Sequence, residues 1–110
     1  MTVESDYLSP LDPDLLNKLD QKVNYVQYHE SSDIWALGIT TLCYIFNEDF
    51  NLFYDWGKKI VNENKIVYHL EFMHRANYSN KLVKLISQML DLNEYQRIGL
   101  DELYNNLTAY

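Results

Sequence analysis

Between Ile34 and Phe46 the apolar residues do not gather into a stripe. Placed on a helix, Ile34, Trp35, Leu37, Ile39, Leu42, Cys43, Ile45 and Phe46 cover nearly the whole circumference. A helix that is apolar on every side belongs in the interior of a protein or in a membrane. The uncharged run that contains it, Ile34 to Asn47, is fourteen residues long, short of the ~20 that cross a bilayer. It therefore reads as a central helix, which needs other elements on all sides. A chain of 110 residues has single-domain length, and a lone domain of that size rarely encloses a helix completely. The expectation is a mostly α domain that folds poorly alone, with part of its central helix left for something else to cover.

Composition narrows the class further. With 47% hydrophobic and 23% charged residues, the chain is globular in character, neither disordered nor fibrous. Nine Lys and Arg against sixteen Asp and Glu give a net charge of -7. That sign repels phosphate backbones and anionic lipid heads, so neither nucleic acid nor membrane is an expected partner. Cys43 is the only cysteine, and its flanks Leu42 and Tyr44 suggest burial as a small hydrophobe. Met1 to Asp6 lacks the basic start and apolar run of a signal peptide. The expected compartment is the cytoplasm or nucleus, where the glycosylation-type triplets at Asn77 and Asn106 are chance matches.

Around the central helix, local signals mark further elements. Asp12 or Asp14 is placed to cap a short helix through Leu15, Leu16 and Leu19, with Pro13 in its first turn. Residues 20–30 read as a loop, and Ser31, Ser32 and Asp33 as N-cap candidates for the central helix. Phe50, Leu52, Phe53 and Trp56 are candidates for a partly exposed surface. Ile60, Val61, Asn64, Val67 and Leu70 fit one helical face. Ser79 is a cap, followed by Leu82, Leu85, Ile86, Met89 and Leu90 at the spacing of an amphipathic helix. After a break at Asn93 and Gly99, Leu100, Leu103 and Leu107 mark a last short helix.

Generic chemistry finds little support. Glu71 and His74, with His69 nearby, have the spacing of half a helix-borne metal site, but no second pair completes it. Both histidines read as surface or hydrogen-bonded core residues. No G-x-S-x-G elbow frames a nucleophile. The ten tyrosines have few basic residues among them, so packing explains them better than base stacking.

Two stretches carry a specific resemblance. Ser32 to Thr40, read as S-D-I-W-A-L-G-I-T, resembles the run that opens the central helix of the protein-kinase large lobe. Leu85 to Leu90, read as L-I-S-Q-M-L, with Arg97 seven residues on, resembles a later segment of that lobe. Upstream, Tyr7-Leu8-Ser9-Pro10-Leu11 sits where the family has Y-x-A-P-E at the end of its activation segment. Order and separations agree along essentially the whole chain.

The resemblance implies that residues 1–110 are a partial kinase domain, the helical large-lobe portion of a protein-kinase-like fold. Tyr7, Ser9 and Pro10 would end the activation segment. Asp33 would anchor the catalytic-loop backbone, Trp35 would pack beneath the substrate-side loop, and Gly38 would admit a close neighbour. Arg97 resembles the arginine that pairs with the A-P-E glutamate. Leu11 stands at that glutamate's position, so the ion pair cannot form in the family manner; Asp12, one residue on, is a candidate substitute, and Arg97 is expected to find a carboxylate or solvent. The Gly-rich loop, strand lysine, H-R-D and D-F-G segments are lacking. They precede the A-P-E position in that family, and the chain is expected to begin after them. The implied function is a fragment of a Ser/Thr protein kinase, not catalytic by itself. It has no catalytic, cofactor-binding or metal residues; ATP and magnesium belong to the parent enzyme. The implied partners are the remainder of the kinase domain or a protein covering the central helix, and protein substrates. The alternative is a pseudokinase-like scaffold or interaction module.

Overall fold

The structure, a computed structural model, describes residues 10–20 and 30–108. Asp12 opens the first helix. Its carbonyl accepts from the Leu16 amide at 2.9 Å and its carboxylate from the Leu15 amide at 2.9 Å. Pro13 lies at the first helical position, where its missing N–H costs nothing. The elements in chain order are α1 (Pro13–Asp20), α2 (Glu30–Phe46), a 3-10 turn (Phe50–Phe53), β1 (Tyr54–Asp55), β2 (Ile60–Val61), α3 (Glu63–Arg75), α4 (Asn80–Met89) and α5 (Leu100–Thr108). The protein is thus mostly helical, and among the described residues a short antiparallel hairpin pairs Tyr54 with Val61 and Asp55 with Ile60.

Helix α2 runs through both apolar clusters. On one side Trp35, Ile39 and Leu42 join Leu11, Leu15 and Leu16 at α1, Phe53 and Tyr54, Ile66 and Met73 of α3, and Ile86 and Leu90 at α4. On another, Ile34 meets Leu85, Met89, Ile98 and Leu103, which gathers α4 and α5. Gly38 sets the α2–α4 distance: a Cβ there would lie 2.8 Å from Leu90 Cδ2 and 3.2 Å from Met89 Cβ.

Two helices end the same way. After α2, Asn47 takes φ 54°, and the Glu48 amide reaches back to the Cys43 carbonyl at 3.0 Å. After α3, Asn77 takes φ 65°, and the amides of Asn77 and Tyr78 bond to His74 and Met73 carbonyls. Both are Schellman-type stops in which asparagine takes the left-handed position usually held by glycine. No described glycine has positive φ.

Several local expectations need correction. Helix α2 starts at Glu30, so Ser31, Ser32 and Asp33 lie in its first turn instead of capping it. Leu37 is 48% exposed and Tyr44 88% exposed, on one stripe with Asp33 and Thr40; the described elements leave this side of α2 open. Ile60 and Val61 form a strand, not a helix. The buried face of α3 is Ile66, His69 and Met73, while Asn64 and Val67 are exposed. Phe53 is fully buried, so only Leu52 of its group is well exposed. In α5 only Leu103 is buried; Leu100 and Leu107 face outward. Among the described residues, no helix is long and apolar enough to cross a membrane.

Candidate functional site

Where α1 begins, the chain meets the segment that follows α4. That segment, Asp91 to Ile98, is folded by short side-chain turns: Asp91 accepts from the Asn93 amide and Asn93 from the Tyr95 amide, both at 2.9 Å. Such turns give polar residues a backbone partner without helix or sheet. The Ile98 amide then bonds to the Gln88 carbonyl at 3.2 Å. The result points Arg97 inward.

Arg97 Nη1 donates to Asp12 Oδ2 at 2.9 Å, and both side chains are wholly buried. The same nitrogen reaches the Ser31 carbonyl at 2.9 Å and Ser31 Oγ at 3.0 Å. Arg97 Nε donates to the Asp91 carbonyl at 2.9 Å. The guanidinium carbon lies 5.1 Å above the Trp35 ring, a cation–π distance. Ser32 Oγ donates to Asp12 Oδ2 at 3.3 Å. One buried ion pair therefore ties α1, the first turn of α2 and the post-α4 segment together.

The pair is end-on, not forked. Asp12 Oδ1 is committed to the Leu15 amide as the cap of α1, so it does not meet the second terminal nitrogen. Among the described residues, Arg97 Nη2 is buried with no hydrogen-bond partner. A bidentate fork would have satisfied it; here one carboxylate serves two tasks.

A second buried bridge lies nearby. Trp35 Nε1 donates to Tyr54 Oη at 3.0 Å, and that hydroxyl donates to the Leu11 carbonyl at 2.6 Å. Burial, ahead of all other causes, pushes the Tyr54 hydroxyl far above the usual tyrosine range. It stays neutral, a fixed link between β1, α2 and the entry to α1.

Of the residues singled out from sequence, Arg97, Trp35 and Pro10 are all buried, with Arg97 over Trp35; Gly38 is the α2–α4 contact. Asp33 is set apart, exposed on the open side of α2. Tyr7 and Ser9 lie outside the described residues. Ser31, Ser32 and Tyr54 were not anticipated. The two serines read as caps because serine before an apolar run has that meaning locally, and nothing in the sequence around Tyr54 signals its partners. His69 is a hydrogen-bonded core histidine, and His74 is exposed. Glu71 pairs instead with Arg75 at 3.7 Å on the surface. Chemically the Asp12–Arg97 site is a closed clamp: apart from Arg97 Nη2, its polar atoms are engaged by one another, by the Ser31 and Ser32 hydroxyls and by backbone, and neither ion faces solvent.

Comparison with protein-family models, with curated proteins and with solved structures found no match.

Proposed function

We propose that these residues are the helical platform of a Ser/Thr protein kinase, the part of the large lobe from the end of the activation segment onward. The observation that carries the reading is the buried Asp12–Arg97 pair, which joins Arg97 to the residue just after the A-P-E-like stretch, 85 residues away in sequence. The family resemblance puts an acid at position 11 to meet an arginine at position 97, and this chain departs from it by one residue. Leu11 itself is fully buried and apolar, and the neighbouring Asp12 provides the carboxylate. On this reading the chain positions a catalytic loop and a peptide substrate and carries out no chemistry. ATP and magnesium would be held by segments of the parent enzyme outside these residues, because the sequence matches none of the parts that bind them in that family. Those segments would cover the exposed stripe of α2 that includes Asp33.

Immunoprecipitation from the source with an antibody to residues 77–96 tests the proposal. The expected result is a native species well above the 13.1 kDa of this sequence that transfers phosphate from magnesium-ATP to serine or threonine of a protein substrate. A species of about this mass, without phosphotransfer, would overturn the proposal. It would favour the second reading, a non-catalytic scaffold, which the exposure of Leu37 and Tyr44 on α2 supports.

A further inference from the structure

Away from the clamp, His69 is buried where α3 crosses the end of α2. The rings of Phe46, Phe53 and Tyr68 stand edge-on to it at 4.5, 5.0 and 5.8 Å. Both of its nitrogens face oxygen. Nδ1 lies 2.6 Å from the Lys65 carbonyl, and Nε2 lies 3.1 Å from Glu48 Oε2.

Hydrogen-bond accounting fixes what this requires. A carbonyl only accepts, so Nδ1 must carry a hydrogen. The contact of Nε2 with Glu48 then needs one further proton, on the imidazole or on the carboxyl. Remove that proton, and an imidazole lone pair faces a carboxylate with nothing between them. Glu48 is held at this spot by the stop of α2, through the hydrogen bond that its backbone N–H donates to the Cys43 carbonyl. It is itself partly exposed, beside a surface groove of about 700 Å³ lined by Asp49, Leu52, Lys65 and Tyr68. The side chain has room to leave.

We propose that His69 and Glu48 form a proton-dependent latch that fastens α3 to the segment following α2. With the proton in place, Glu48 bridges the two elements. As pH rises and the proton is lost, Glu48 swings into the groove and the 47–53 segment loosens from α3. The ionisable groups around the latch are Glu48, Asp49 and Cys43 from the α2 end, and Lys65 and Tyr68 from α3. The inference is independent of the kinase reading.

The test is made on the full chain. Nitrogen-15 NMR of the His69 ring, followed from about pH 5 to 9, should show both nitrogens protonated at low pH and only Nδ1 protonated at high pH. Amide exchange at Glu48 and Asn62, corrected for its intrinsic pH dependence, should lose about tenfold in protection across the same range. Glu48→Gln should abolish that loss, because its amide can rotate to present oxygen to the protonated ring or N–H to the neutral one. Three results would overturn the latch: a His69 ring that never changes protonation, a ring that keeps Nε2–H when neutral, or the same loss of protection in Glu48→Gln.

Discussion

At position 12 one carboxylate caps α1 and neutralises Arg97, and substitutions can separate the two tasks. Asparagine is as good a cap as aspartate but carries no charge. Asp12→Asn is expected to keep α1 and still lose most of the 3–5 kcal/mol or so that follows removal of one partner from a buried pair. Asp12→Ala should lose about 1 kcal/mol more, for the cap. Urea unfolding of both variants checks this; equal stability of Asp12→Asn and wild type would show that the charge contributes nothing. Tyr54→Phe strands the Trp35 N–H and the Leu11 carbonyl together and should cost about 1–3 kcal/mol. Cys43 offers a pH test. Burial, then Asp49 and Glu48, raise its thiol to about 11. A thiol held protonated in the fold stabilises it below the unfolded value of 9.0, and that contribution is lost as pH climbs from 9.0 to about 11. Alkylation of folded Cys43 should therefore rise with a midpoint near pH 11, and a midpoint at the ordinary thiol value would contradict the reading.

At the scale of elements, the contact between α2 and α4 depends on the absence of a side chain at Gly38. Gly38→Ala gains roughly 1 kcal/mol of helix propensity but forces Leu90 and Met89 aside, which typically costs about 1–3 kcal/mol. A net loss of about 1 kcal/mol is expected, and thermal unfolding measures it; a stabilised variant would mean that Leu90 yields freely. The helix stops give a contrast of opposite sign. Asn77→Gly should be neutral or stabilising, whereas Asn77→Val places a β-branched residue at positive φ and should cost about 1–2 kcal/mol or more. The regular part of the fold was legible at this scale. Capping and apolar spacing mark α1 and α4 because both signals are local. The face of α3 differs from the apolar pattern because a polar residue, His69, is buried in it while the apolar Val67 and Tyr68 stay exposed.

For the molecule as a whole, Leu37 and Tyr44 on α2 and Leu100, Tyr104 and Leu107 on α5 remain exposed in the described part of the chain. The isolated chain is expected to bind a hydrophobic dye and to melt broadly. A sharp cooperative transition without dye binding would contradict that expectation. By itself the sequence determined the mostly helical class, the central position of α2, a cap for α1 at Asp12 or Asp14, the cap at Ser79 and the buried face of α4. Each of these follows from propensity or periodicity within about four turns of chain. Only the tertiary structure decided that Asp12 meets Arg97 end-on, that Tyr54 links Trp35 to Leu11, that His69 faces Glu48, and that the open side of α2 is the Asp33–Tyr44 stripe. Those outcomes depend on which distant segments arrive together, and a polar residue carries no local mark of the partner that will satisfy it once water has been excluded.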